Sequence, residues 1–142
     1  PATRTDILTT IRKYVYQHDI KTVIIDYIQL ITGLVGDTQN NGFEDLSRSL
    51  KLLARELNIS IIALSQLTKD FLKNEDRAPT LGDLRGSGAF AQDGDAVIFF
   101  YVAVSNGEFK VKEAACSIAK YRKGKTGKVK GFKYNKAIHM MS

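Results

Sequence analysis

The chain has 142 residues, 44% of them apolar, and a formal net charge of +6, enough to bury one hydrophobic core and too few residues for two typical domains. No apolar run approaches the ~20 residues of a membrane-spanning helix and no signal-peptide pattern opens the sequence, so the expectation is a cytoplasmic protein without a membrane partner. The single cysteine, Cys116, stands in an apolar stretch with no partner for a disulfide or a metal cluster and reads as core packing in a reducing compartment.

Ile7, Ile11, Tyr14, Val15 and His18 recur at helical spacing behind a candidate cap at Thr5, which predicts an amphipathic helix ending near Asp19. Thr22-Val23-Ile24-Ile25-Asp26-Tyr27 is short, apolar and β-branched, the pattern of a strand covered on both faces in a parallel sheet, with Asp26 at its carboxyl end. A polar loop from Gly33 to Gly42 leads into Phe43, Leu46, Leu50, Leu53 and Leu57, again at helical spacing, with Glu44 one turn before Arg48. Ile59 to Leu64 predicts a second buried strand followed by Ser65-Gln66. Strand, helix and strand in this order make a right-handed crossover, the building block of a parallel α/β sheet.

From Thr68 to Gly88 the periodicity is lost among charges, Pro79, Gly82, Gly86 and Gly88; loops of this length in compact domains are often functional. Ala89 to Gln92 predicts a single helical turn, Ala96 to Tyr101 a third apolar strand, and Val104-Ser105-Asn106-Gly107 a turn. Ala115 to Arg122 and Val129 to Tyr134 predict two strands joined through Gly124-Lys125-Thr126-Gly127, an antiparallel hairpin at the end of the sheet. Residues 110–136 hold ten Lys/Arg against one acidic residue, Glu113. That segment fits a solvated surface and a contact with phosphates of nucleotide or nucleic acid equally.

Several residues carry candidate chemistry. Asp26 stands where ligands of open α/β sheets collect and could hold a magnesium ion; taken alone, an aspartate after an apolar run fits strand-end solvation better. Gln66, at the second strand end, could donate to a phosphate oxygen while accepting from a neighbour, or be a plain polar strand end. Lys120 and Arg122 share one face by strand alternation, which by itself suggests a solvent-facing pair. Asp93 and Asp95 read as residues that tie down the preceding loop rather than as a metal pair. Gly124-Lys125-Thr126 has the ending of a phosphate-binding loop, but Ala119 stands where that motif needs glycine and no helix is expected after it, so it reads as a hairpin turn.

The segment Val23-Ile24-Ile25-Asp26-Tyr27-Ile28-Gln29-Leu30 closely resembles the magnesium-binding Walker B segment of DnaB-type replicative DNA helicases. Ile61-Ile62-Ala63-Leu64-Ser65-Gln66-Leu67 is similar to the next motif of that family, whose glutamine senses the γ-phosphate and relays its presence to the DNA-binding loops. Arg77-Ala78-Pro79-Thr80-Leu81-Gly82-Asp83-Leu84-Arg85-Gly86-Ser87-Gly88, continuing into Gln92-Asp93-Gly94-Asp95-Ala96, resembles its DNA-contacting motif, in a form like that of bacteriophage helicases. Lys120-Tyr121-Arg122-Lys123-Gly124-Lys125-Thr126-Gly127 resembles the segment in which a lysine and an arginine reach the γ-phosphate of a neighbouring subunit's ATP. Gly94 in place of the family's common alanine, and Val102 where an arginine often follows the third strand, depart from the pattern.

The resemblance runs from Lys21 to about Tyr134 with the motifs in family order, and it implies an α/β, RecA-like P-loop NTPase core: a parallel sheet flanked by helices, with a C-terminal antiparallel hairpin. Residues 1–142 are then a single partial motor domain from the Walker B strand onward, the P-loop and the family's catalytic glutamate being absent from them. The opening at Pro1, without an initiator Met, suggests excision from a longer protein, and such a piece is expected not to hydrolyse ATP by itself. For the parent the resemblance implies ATP and Mg2+ as cofactors, with Asp26, Gln66, Lys120 and Arg122 as catalytic and nucleotide-binding residues. It also implies a metal site at Asp26, DNA binding by Arg85, Gly86, Ser87 and Gly88, and a homo-hexamer on single-stranded DNA in a bacterial or phage-infected cell. Primase and a helicase loader are the further partners expected. A recombinase or circadian-clock type of RecA-like ATPase would share the sheet but is not expected to carry the Arg-Gly-Ser-Gly loop. A non-catalytic DNA-binding or subunit-docking module would account for the basic C-terminal third alone.

Overall fold

Thr3, rather than Thr5, caps the first helix: its hydroxyl accepts the Asp6 N–H while the Asp6 carboxylate accepts the Thr3 N–H, a reciprocal capping box. The computed structural model describes residues 2–32, 39–73, 77–84, 88–104, 112–129, 134–135 and 140–141. In chain order the elements are α1 (Arg4–His18), β1 (Thr22–Ile25), a 3-10 turn (Ile28–Leu30), α2 (Gln39–Leu57), β2 (Ser60–Ala63), α3 (Lys69–Lys73), a second 3-10 turn (Leu81–Asp83), α4 (Gly88–Asp93), β3 (Ala96–Val104), β4 (Lys112–Tyr121), β5 (Gly127–Val129), β6 (Tyr134–Asn135) and β7 (Met140–Met141). Backbone contacts group them into two units, Pro1–Leu67 with Leu84–Gly94, and Thr68–Asp83 with Asp95–Ser142.

In the first unit, β1 and β2 pair in parallel, Thr22 opposite Ser60 through Ile25 opposite Ala63. The long α2 between them completes the expected strand–helix–strand unit. Its apolar stripe buries Phe43, Leu46, Leu50 and Leu53 against Ile11 of α1 and against Ile28, Ile31 and Ile59, with Val23, Ile25 and Ile61 packed onto this core from the sheet. Fully burying one such side chain contributes roughly 1.5–3 kcal/mol. Tyr14 and His18, grouped with the apolar stripe of α1 on spacing alone, are instead exposed and lie against each other, ring centroids 5.6 Å apart. α2 stops at Asn58, which takes a left-handed φ of 50°. The Ile59 N–H reaches back to the Ala54 carbonyl at 3.0 Å and the Asn58 N–H to Arg55 at 3.4 Å, the double bond of a Schellman ending, with buried Ile59 as its hydrophobic lock.

The expectation that the two strands are covered on both faces is not met. Val23, Ile25 and Ile61 turn to the core, but Ile24 is 64% and Ile62 52% exposed. α1 and α2 pack on one side of this two-stranded sheet, and strand alternation puts Ile24 and Ile62 on the other.

In the second unit the predicted third strand does not extend the parallel sheet. β3 pairs antiparallel with β4, and β4 antiparallel with β5, in a separate three-stranded sheet. Apolar content identified β3 as a strand without specifying its partner. The expected hairpin is present as β4–β5, with β5 described over Gly127–Val129; residues 130–133 of the expected strand lie outside the described residues, and Tyr134 pairs with Met141. The Gly124-Lys125-Thr126 segment is the turn of this hairpin and is followed by a strand, as the rejection of a P-loop there requires. Cys116 is buried, consistent with core packing. The span from Thr68, read as a loop, holds α3 and the second 3-10 turn, and the Thr68 N–H is bonded to the Asp83 carbonyl at 2.8 Å.

Candidate nucleotide site and DNA loop

Because Ile25 stands opposite Ala63, Asp26 is the first residue beyond β1 and Gln66 the third beyond β2. Both therefore lie past the carboxyl ends of neighbouring parallel strands, where ligands of open α/β sheets bind. Pairing continues past the ladder: the Leu64 N–H donates to the Ile25 carbonyl at 2.9 Å, and the Ile28 N–H to the Leu64 carbonyl at 3.0 Å. The Asp26–Tyr27 peptide bond is cis. Asp26 and Gln66 are both exposed.

Among the described residues there is no group of three or more His, Cys, Asp or Glu side chains arranged to hold a metal. Mg2+ dehydrates reluctantly, keeps several waters, and is bound through one or two carboxylates together with substrate phosphates. Asp26 can supply such a carboxylate.

Spacing did not single out Gln29. Its side-chain NH2 donates to the Ser65 hydroxyl at 2.9 Å and its side-chain oxygen accepts the Gln66 N–H at 3.3 Å. The only hint in the sequence was a polar residue in an otherwise apolar stretch shortly after Asp26.

Lys120 and Arg122 belong to the second unit. Lys120 stands opposite Val97 on β4, next to a register shift between Val97 and Ile98. Arg122 comes after Tyr121, the last residue of β4, and starts the turn. Arg122 is anchored to Asp95: its N–H donates to the Asp95 carbonyl at 2.8 Å and its Nε lies 3.8 Å from the Asp95 carboxylate, with half of the arginine side chain still accessible. Asp95 thus holds the end of β4 beside the start of β3.

Of the proposed DNA-contacting residues, Arg85, Gly86 and Ser87 lie outside the described residues. Gly88 is the first residue of α4, and a side chain there would meet no atom within 4 Å. Upstream in the same motif, Asp83 is buried and forms an ion pair with Arg77 at 2.6 Å, while the Arg77 guanidinium lies 5.2 Å from the centre of the buried Phe71 ring. Neither the pair nor the ring contact could be inferred from spacing in a segment without periodicity.

Comparison with known proteins identifies the family. The family model for the DnaB-like helicase C terminal domain matches residues 2–141. The replicative DNA helicase DnaB of Leifsonia xyli subsp. xyli is 38% identical over 131 residues, which is 90% of this chain and 29% of that protein. DnaB of Geobacillus stearothermophilus is 41% identical over 98 residues, 68% of this chain and 22% of the relative. The chain thus spans less than a third of the length of either. Among solved structures, an ATPase domain superposes with a TM-score of 0.82 at 32% identity, covering 99% of this chain and 51% of that one. A DnaB-like replicative helicase studied for its interactions with primase superposes with a TM-score of 0.79 at 33% identity, over 95% of this chain and 33% of that chain. The parallel β1–β2 unit with its helices and the antiparallel β3–β5 sheet are accordingly parts of a RecA-like α/β fold, and the chain belongs to the DnaB-like helicase C-terminal domain family.

Proposed function

We propose that residues 1–142 serve as the part of a replicative helicase motor that begins at the Walker B strand, coupling ATP hydrolysis to movement along single-stranded DNA and unwinding of duplex DNA. The observation that carries this reading is the placement of Asp26 and Gln66 beyond adjacent parallel strand ends. A carboxylate and an amide at one edge of a sheet can serve a metal-bound triphosphate from two sides. Bound magnesium would neutralise charge on the phosphates as the terminal phosphoryl group departs. Asp26 orients that ion, and Gln66 donates its side-chain N–H to a γ-phosphate oxygen and so reports whether the phosphate is present.

Lys120 and Arg122 act on the nucleotide of a neighbouring subunit, which makes the homo-hexamer the working unit. The Asp95 carboxylate lies 3.8 Å from Arg122 Nε and leaves half of the arginine side chain accessible. The loop from Arg85 to Gly88 grips the single strand through its phosphates, with glycines that let backbone amides approach closely. Primase is a fitting partner, since one structural relative is known with it; a loader and a cytoplasmic location follow from the same reading.

No GxxxxGK[ST] segment lies within residues 1–142, so the isolated chain is expected not to hydrolyse ATP, lacking the amides and lysine that cradle the phosphates. The test is strand displacement by the full-length protein in ATP and magnesium, comparing wild type with Asp26→Asn and Gln66→Ala. Both variants should stop unwinding. Unwinding at the wild-type rate by Asp26→Asn, or magnesium-dependent ATP turnover by the pure 142-residue chain, would refute the assignment.

A further inference from the structure

We infer that Gln29 is a positioning residue for Gln66, a side-chain tie that makes the segment after β1 and the segment after β2 move as one piece when the nucleotide state changes. The inference rests on the reading of Gln66 as the γ-phosphate sensor and adds the part that holds it in place.

Gln29 itself is firmly held. It is the middle residue of the 3-10 turn Ile28–Leu30, closed by Leu30 N–H to Tyr27 carbonyl at 3.1 Å and Ile31 N–H to Ile28 carbonyl at 3.2 Å. On either side, Ile28 and Ile31 are buried in the core, Ile28 with no exposed surface. Gln66, by contrast, has left the β ladder, and its backbone depends on contacts outside it. Gln29 supplies one of these by accepting the Gln66 N–H, and holds the adjacent Ser65 hydroxyl, which in turn lies 3.3 Å from the Gln66 carbonyl. A primary amide donates and accepts through two separate atoms, so this residue type at this position satisfies both partners without placing a charge beside a triphosphate.

The consequence is mechanical. Asp26 and Gln29 lie on one short segment, so the tie sets the backbone of Gln66 against the residue that orients the metal. Displacement of Gln66 towards a γ-phosphate pulls on that segment. Without the tie, the Leu64 backbone bonds to Ile25 and Ile28 remain, but Gln66 loses the link that its own N–H makes to the segment carrying Asp26. A misplacement of about 1 Å can cost about 10²-fold in such constellations, and the residues that orient metal-binding side chains typically change activity by about 10–100-fold.

The experiment uses the full-length protein and four variants: Gln29→Leu, which keeps the bulk and removes both hydrogen bonds; Ser65→Ala, which removes the contact with the amide NH2 and the hydroxyl's own contact with the Gln66 carbonyl but leaves the Gln66 N–H bonded to Gln29; Gln66→Ala; and the Gln29→Leu/Gln66→Ala double. DNA-stimulated kcat, KM for ATP, melting temperature, and single-strand affinity with and without a non-hydrolysable ATP analogue are measured for each. Gln29→Leu is expected to lower stimulated kcat by about tenfold with KM within about twofold of wild type. It should also abolish the nucleotide-dependent change in DNA affinity. The double variant should be no worse than Gln66→Ala alone, because both remove the same relay. Ser65→Ala should show a smaller loss of the same kind, and it carries the test if Gln29→Leu does not fold. Wild-type stimulated turnover in Gln29→Leu, or losses that add in the double variant and follow melting temperature, would overturn the inference while leaving Gln66 as sensor. A nucleotide-dependent DNA affinity that survives Gln66→Ala would remove the sensor reading and this inference with it.

Discussion

The Asp83 carboxylate takes both arms of the Arg77 guanidinium, at 2.6 and 2.7 Å, and in addition accepts the Thr80 N–H at 2.7 Å and the Thr80 hydroxyl at 2.8 Å. This one buried side chain therefore organises the turn that precedes the proposed DNA-contacting residues. Arg77 beside it, together with the Thr80 bonds, holds the Asp83 carboxyl well below the usual carboxylate range. The folded-state pKa is depressed, so the resulting stabilisation is fully present above the unfolded value of ~3.9 and is lost as the pH falls through the folded value.

Replacing Asp83 with Asn removes that contribution. The variant should melt below the wild type at pH 7, and the gap should narrow once the pH is taken below about 4 and close further into acid. Thermal melts of both proteins across the acid range provide the check. A gap that is constant in pH would mean that the carboxylate's charge plays no part in holding the turn.

Leu46 and Leu53 are almost completely buried in the first unit, whereas Leu52 on the same helix is exposed. Leu46→Ala or Leu53→Ala should cost about 2–5 kcal/mol of stability through lost burial and the cavity left behind. Leu52→Ala should stay within about 0.5 kcal/mol. Urea unfolding of the three variants measures the difference, and equal losses at Leu52 and Leu53 would contradict the facing of α2.

In the full-length protein, Arg122→Ala should reduce DNA-stimulated ATP hydrolysis by about 10³-fold or more while leaving nucleotide binding mostly intact, because an arginine finger acts on the transition state. Mixing it with a variant that lacks a working P-loop should return partial activity, since some interfaces then pair an intact loop with an intact finger. If subunits exchange and no activity returns, the arginine does not act across the boundary.

Arg85→Ala in the assembled protein should weaken single-strand binding alike for unrelated sequences and reduce the salt slope by about one, the signature of a lost phosphate contact. Unwinding should slow more than basal ATP hydrolysis. Salt titrations on several unrelated strands decide the matter: an unchanged slope, or a strong preference for one base sequence, would take this loop off the DNA path.

Much of this was legible locally. The helical spacing that ends at Leu57 and the β-branched runs of β1 and β2 are set by burial along one element, and burial leaves a period in the chain that can be read without knowing the neighbours. Asp26 and Gln66 were placed by the same logic, since each follows an apolar run. The cap at Thr3 was legible too, because Thr3 is followed three residues later by Asp6, although Thr5 stands nearer to the first apolar residue, Ile7. Only the tertiary structure decided the rest. Apolar content cannot say whether a neighbour covers a face, so the exposure of Ile24 and Ile62 was invisible, as was the choice of β4 as the partner of β3. The Gln29–Ser65 hydrogen bond joins residues 36 positions apart, and Arg77 meets Asp83 across a segment without periodicity. Contacts of this kind depend on where the backbone brings two side chains together, and an amide or a carboxylate has the same letter in the sequence whether or not it finds its partner.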